Sequence, residues 1–402
     1  MFRVFGVPPT SEYTQFKEND PSYKPSPEEL SAKLFFNSRK EGYVLFSDGT
    51  LSQLLLSASS IPFLNKIING DFSVKQISTV AGGIISSGYY TADRWFFDVN
   101  TGTFLQQVVT PTAQFYSLHT EVVAAVNPTG TDIISPFEQF IEPNDIIDLL
   151  QDGGPITISF LLQSNISPLD FSLALQINEP PNIHSYVKLL RYDHPSLGFQ
   201  QFNVVIDSLP SVQPPFHSPW GMRLCIGALG GGAYKTSAPD TWITGNYRVH
   251  PSAFNWASSV GNFLRLAKVR LISGITSPDK IVNPPFSLEL LRCMRFYEKS
   301  YNYGSYAGSS VQDGSYRQSL PVSGTGLHIV HVDFKVPKRA VPWIGIYDPV
   351  TGAYNTMRVD GNQVTPTLEN IGEKGFDIYW NNTTLSKSSI HFHWVAVAEI
   401  YP

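Results

Sequence analysis

The chain has 402 residues, 42% of them hydrophobic and only 15% charged, with a formal net charge of −5. That is enough apolar material for two or three domain cores, at a charge density well below the roughly 25% of an average soluble chain. No basic block is present to displace counterions from phosphates, and no run of about 18 apolar residues could span a bilayer, so neither nucleic acid nor membrane insertion is expected.

Residues 1–66 read differently from the rest. Pro8, Pro9, Pro21, Pro25 and Pro27 lie among charged residues, so segment 8–30 is expected to be extended and without a core of its own. Tyr43–Phe46, the turn Ser47–Thr50 and Leu51–Leu56 follow. The N-terminus lacks the sustained apolar stretch of a signal peptide, which fits folding in a reducing cytosol. Cys225 and Cys293 supply neither a disulfide framework nor zinc-ligand spacing and are expected to be free, buried thiols. No cofactor and no metal is expected.

From residue 67 to about Pro285 short strands dominate. Ile156–Leu161 alternates with Ile156, Ile158 and Phe160 on one face, the pattern of a half-buried strand. Comparable runs are Phe171–Ile177, Phe202–Ile206, Met222–Ile226 and Phe263–Leu271. Between them lie turn formers: Asp152-Gly153-Gly154, Asn178-Glu179-Pro180-Pro181 and Gly230-Gly231-Gly232. Frequent turns without strand–helix alternation argue for a jelly-roll-like sandwich. One helix is expected after Pro284-Pro285, capped by Ser287, with Leu290, Cys293, Met294 and Tyr297 on one face and Glu289 and Arg292 on another. Strands then return, ending in Ile390–Ile400, where Ile390, Phe392, Trp394, Ala396, Ala398 and Ile400 share a core face. The fold class is therefore mainly β. Its expected parts are an extended arm (1–66), a jelly-roll sandwich (67–285), a linking helix with a Tyr-rich loop (286–312) and a C-terminal β-sandwich (313–402).

Three phrases sharpen this reading: Ile68-Asn69-Gly70-Asp71-Phe72, then Tyr89-Tyr90-Thr91-Ala92-Asp93-Arg94-Trp95, then Leu288-Glu289-Leu290-Leu291-Arg292-Cys293-Met294-Arg295-Phe296-Tyr297. In that order and spacing they resemble a β-sandwich module of bacteriophage tail proteins, whose pattern runs I-N-G-N-F, A-D-R-W and L-x-x-C-x-R-Y-Y-x-K-S. Asn262–Val269 looks like that family's last core strand, and Phe334–Glu399 like the sandwich that often follows. The resemblance covers about residues 67–402. It implies a virion component assembled in the host cytoplasm and homotrimeric. Its leading role would be that of a tail fibre or receptor-binding protein contacting host polysaccharide, with the arm held by other virion proteins. A head fibre or decoration protein is the alternative from another class, and a polysaccharide depolymerase is a third.

No nucleophile elbow, P-loop or zincin motif occurs, so no catalytic residue is expected. Asp93, Asp98, Glu138, Glu142, Asp145 and Asp148 are the carboxylates a glycosidase would have to converge. Asp93 reads better as a loop-pinning acceptor and Trp95 as a core anchor. His391 and His393 alternate along one strand; they read as solvent-facing or interface side chains rather than metal ligands. Binding candidates are Tyr301, Tyr303 and Tyr306, whose Ser, Gly and Asn neighbours match the mixture of adaptable paratopes. Trp220 and Trp242, with Trp256 and Trp343, are candidate platforms for sugar rings.

Overall fold

The computed structural model describes residues 32–36, 42–46, 51–54, 65–77, 80–112, 115–212, 214–275, 284–323, 326–382 and 387–401. The segment 8–30 and the turn Ser47–Thr50 lie outside these residues. The chain divides into two compact units, Met1–Leu64 with Thr276–Val282, and Asn65–Ile275 with Asn283–Pro402. The first contains a three-stranded antiparallel sheet of Ala32–Phe36, Gly42–Phe46 and Leu51–Leu54, with Gly42 opposite Leu54.

The second unit is mainly β and opens with a jelly-roll-like sandwich. One sheet runs in the order Gln200–Ile206, Ile156–Ser164, Phe263–Ser273, Phe115–Ala124, Thr103–Thr112, Val80–Ile84. The other runs Ile243–Thr244, Asn182–Tyr192, Leu169–Glu179, Met222–Gly230, Ile133–Ile141, Phe96–Val99, Gly88–Tyr89. Every pairing is antiparallel. Alternate residues supply the shared core, including Ile156, Ile158, Phe160 and Leu162 from one sheet and Leu169, Phe171, Leu173, Leu175 and Ile177 from the other. Such burial of apolar area is the main stabilising term of the sandwich.

The strands are not simply half-buried. Met222–Gly230 and Ile133–Ile141 are buried at every position, because their outer faces are covered too. Ala174, Val187 and Cys225 pack under Tyr247. Gln176 Nε2 donates to Asn246 Oδ1 (3.0 Å) and to the Tyr247 carbonyl (3.1 Å), tying the segment between strands onto the sheet. Both cysteines are free and buried.

The linking helix spans Phe286–Met294 and differs from expectation at both ends. Pro285 holds the N-cap position without any side-chain cap bond, so Ser287 lies inside the first turn rather than capping it. Tyr297 leaves the helix and opens the strand Tyr297–Lys299, which pairs with Val395–Val397. Glu289, on the helix side away from the apolar face, is buried as well, its carboxylate accepting the Asn69 N–H. A second, six-residue helix, Ile147–Asp152, was not expected; it stops at Gly153, whose φ of 58° suits a left-handed cap.

In the C-terminal sandwich the long strand Lys387–Val397 is central. It is flanked by Tyr297–Lys299 and Trp343–Tyr347 along one half, and by Tyr316–Ser323 and Met357–Val359 along the other. Gly326–Asp333, Gly375–Asn382 and Thr367–Glu369 form the facing sheet. Ile390, Phe392, Trp394 and Ala396 are buried between the two, with Phe334 and Phe376 against Trp394.

Candidate functional site

The three phrases turn out to be one joint between the two sandwiches. Asn69 adopts a left-handed conformation (φ 57°), fully buried. Its side-chain amide donates to the carbonyls of Val74 (2.7 Å) and Asp93 (2.9 Å), its side-chain oxygen accepts the Val74 N–H (2.9 Å), and its carbonyl accepts Trp95 Nε1 (2.9 Å). Gly70 is required by close approach: a Cβ there would stand 2.1 Å from the Val269 carbonyl oxygen. Phe72 packs on Trp95 with centroids 5.0 Å apart, so Trp95 is the anchor expected of it.

Arg94 carries the joint across to the C-terminal sandwich. Its guanidinium lies 3.4 Å over the Phe296 ring, donates to the Phe140 carbonyl (2.7 Å) and pairs with Glu399. Asp93 accepts from the Gln76 N–H (2.6 Å) and Gln76 Nε2 (2.7 Å). Lys299 Nζ donates to the carbonyls of Gln76 (2.7 Å) and Ser305 (2.6 Å). Burial pushes the Asp93 carboxyl up to about 6 and the Lys299 ammonium down to about 8. Ile68, Val74, Phe96, Phe140, Trp220, Cys293, Phe296 and Ile400 fill the apolar part of the joint. The phrases that carry the resemblance thus set a rigid connection and hold no open site.

Most of the candidate carboxylates are also tied to structural partners. Asp98 and Glu138 share Arg248, at 2.5 and 2.9 Å, and Glu138 also accepts from Arg223 Nε at 2.9 Å. Glu142 receives two bonds from Arg295 (3.0 and 3.1 Å), and Asp148 pairs with Lys66 (2.7 Å). These ion pairs, buried at Glu138 and exposed at Asp148, engage the charges that a hydrolytic pair would need free. Among the described residues no group of three metal-ligating side chains converges.

The aromatic candidates are dispersed by burial. Trp220 is only 5% exposed and packs on Phe140, so it offers no ring face to a ligand. Trp242 is half-buried against Tyr186, its Nε1 bonded to the Ser208 carbonyl (2.9 Å). Tyr301 is 4% exposed and stacks on His393 at 3.6 Å. Tyr303 is pinned into the joint, donating to the Ser73 carbonyl (2.7 Å) and accepting the Lys75 N–H (2.9 Å). Only Tyr306 of the three tyrosines is open to solvent. The paratope expectation fails for Tyr301 and Tyr303 because their rings close the seam between the loop and the strands behind it. His393 is likewise buried rather than solvent-facing: its ring nitrogens meet Ser300 Oγ and the Val311 carbonyl, each at 2.9 Å. His391 is partly covered and bonds Ser315 Oγ at 2.7 Å.

The same seam ends in an exposed pair of rings. On strand Trp343–Tyr347, Ile344 and Ile346 point into the core, while Trp343, Gly345 and Tyr347 lie on the outer face. A Cβ on Gly345 would stand 2.7 Å from the Trp343 ring and 3.1 Å from the Tyr347 ring, so both rings close in on the bare backbone of Gly345. Tyr354 stacks beside Trp343 (6.0 Å, 20°) and tilts against Tyr347 (5.6 Å, 58°). It is positioned by Asn355, whose left-handed backbone (φ 54°) directs its N–H to the Ile346 carbonyl (2.8 Å). Trp343 and Tyr354 remain 51% and 57% exposed. The Tyr-rich loop buttresses this platform, with the Gly308 backbone pressed against Gly352 and near the Tyr347 ring. Tyr354 was missed in the sequence; the available signal was the Trp-x-Gly-x-Tyr alternation, which leaves a gap over which rings can lie.

No family model matches this chain, and no curated protein matches it. Among solved structures it is similar to the enzymatically active domain of tailspike protein 4 from bacteriophage CBA120. That match has 15% identity and a TM-score of 0.26, over 52% of this chain and 22% of the tailspike chain. This chain therefore spans well under half of that protein. A family 16 carbohydrate-binding module matches at 9% identity and a TM-score of 0.22, over 42% of this chain and 85% of the module. Discoidin II of Dictyostelium discoideum matches at 13% and 0.16, over 73% and 81%. Likeness at this level carries no argument about activity.

Proposed function

We propose that this chain is a bacteriophage virion protein of the tail-fibre or receptor-binding type, which attaches to host surface polysaccharide without cleaving it. The observation that carries the reading is the exposed Trp343–Tyr354 platform, held on a sandwich that is locked to its neighbour by the buried Arg94–Glu399 pair. Flat rings on a rigid support are suited to adhesion, since little conformational freedom is lost on binding. The ordered resemblance of the joint phrases to phage tail modules supports placement in a virion. The low charge of the whole chain supports burial between copies in a homotrimer. Residues 1–66 would join the chain to other virion proteins.

The test uses the full chain. It is expected to bind host cells, to release no reducing sugar from their polysaccharide, and to scatter light as a trimer. Cells left unbound, with the protein located on the capsid head, would replace this reading with the decoration role. Sugar release would replace it with the depolymerase role.

A further inference from the structure

Resting on the receptor-binding reading, we propose that the Trp343–Tyr354 platform is the glycan subsite itself and that it takes a neutral pyranose, not a uronic or sialic acid. A pyranose presents a face of C–H bonds, which packs on an aromatic ring, and a rim of hydroxyls, which need hydrogen-bond partners. Both are answered here. The six-membered ring of Trp343 reaches over Gly345, and Tyr354 stacks against Trp343 with centroids 6.0 Å apart at 20°, with more than half of each residue exposed. At the edge, Asn355 is exposed. Its side-chain amide, the Trp343 Nε1 and the Tyr354 hydroxyl make no hydrogen bond among the described residues.

The charge pattern chooses the class of sugar. The platform is built from residues 341–358 and buttressed by residues 300–312. The second segment has no charged side chain, and the first has only Asp348 and Arg358. These two neutralise each other: Arg358 Nε donates to Asp348 Oδ1 at 2.8 Å, and the remaining Arg358 group that bonds goes to the Gly361 carbonyl at 2.7 Å. Hydrogen bonds from Arg358 and Gln363 hold the Asp348 carboxyl well below its ordinary range, so it stays ionised and keeps the arginine engaged. Within these two segments, among the described residues, no unpaired cation is left to meet a sugar carboxylate, and burying one unpaired would be costly.

The experiment measures binding of the full chain to three immobilised polymers: dextran and galactan as neutral probes, and polygalacturonate as the acidic one. Trp343→Ala, Tyr354→Ala and, as a control on the first sandwich, the exposed Phe254→Ala are compared by circular dichroism for folding. Expected is binding to a neutral polymer that is insensitive to added salt, falls about tenfold or more in Trp343→Ala, falls several-fold in Tyr354→Ala, and is unchanged in Phe254→Ala. Salt-sensitive binding to polygalacturonate at equal strength would overturn the sugar class. Neutral binding that survives Trp343→Ala would overturn the site while leaving the receptor-binding reading intact. Binding to none of the polymers, nor to host cells, would overturn both.

Discussion

Removing one partner of the pair that locks the sandwiches together is expected to destabilise the whole second unit. The side chains of Arg94 and Glu399 are each only 1% exposed. Glu399→Ala would leave a guanidinium buried without its counter-ion, which typically costs about 3–5 kcal/mol. Two Arg94 contacts survive the change, the Phe140 carbonyl and the Phe296 ring. The loss should therefore sit near the lower end, about 3 kcal/mol. The reverse truncation, Arg94→Ala, removes those contacts as well and strands Glu399, whose carboxyl is already raised by burial; it should cost more. Replacing both together, as Arg94→Met with Glu399→Leu, should recover most of the loss, because no charge then remains to be desolvated. Equilibrium urea unfolding of the three variants compares these losses, and adding the single Arg94→Met and Glu399→Leu variants closes the cycle. A loss below about 1 kcal/mol for Glu399→Ala would show that water reaches the pair, and the rigid joint would have to be abandoned.

Other perturbations test separate parts of the structure. Trp394→Ala should cost about 3–5 kcal/mol, since the ring is 5% exposed and packs on Phe334 and Phe376; thermal unfolding reads this directly. His393→Ala should cost roughly 1–3 kcal/mol by stranding buried polar groups at Ser300 and Val311, and a silent variant would contradict the buried placement. Gly70→Ala should disrupt the joint, because its Cβ would meet the Val269 carbonyl oxygen at 2.1 Å; the check is whether the mutant still expresses as a folded protein. The Asp93 carboxyl, at about 6 when folded, gives stability that is fully present below its unfolded value of about 3.9 and is lost as pH rises through 6. Wild type minus Asp93→Asn should therefore fall by roughly 2–3 kcal/mol between pH 4 and 7, and a difference that rises over that window would refute the assignment.

Much of the architecture was legible from local pattern. The strand at Ile156–Leu161, turn formers at Asp152-Gly153-Gly154 and the apolar face of Ile390–Ile400 each depend on neighbours close in sequence, and each appears in the fold, although Thr157 and Ser159 on the strand's other face are buried too rather than exposed. What a side chain on the opposite face meets was not legible. His391 and His393 alternate as solvent-facing residues would, yet His393 is fully buried because the loop after strand Tyr297–Lys299, nearly a hundred residues away, closes over that face through Ser300, Tyr301 and Val311. Tyr301 and Trp220 were candidates by residue type, and packing removed them for the same reason. Trp343 and Tyr354 stay exposed, at 51% and 57%, because no other element among the described residues covers the outer face that carries them. Periodicity reports one face of one element. Coverage is decided by which distant segment packs on the other, and that depends on long-range contacts with no period in the sequence.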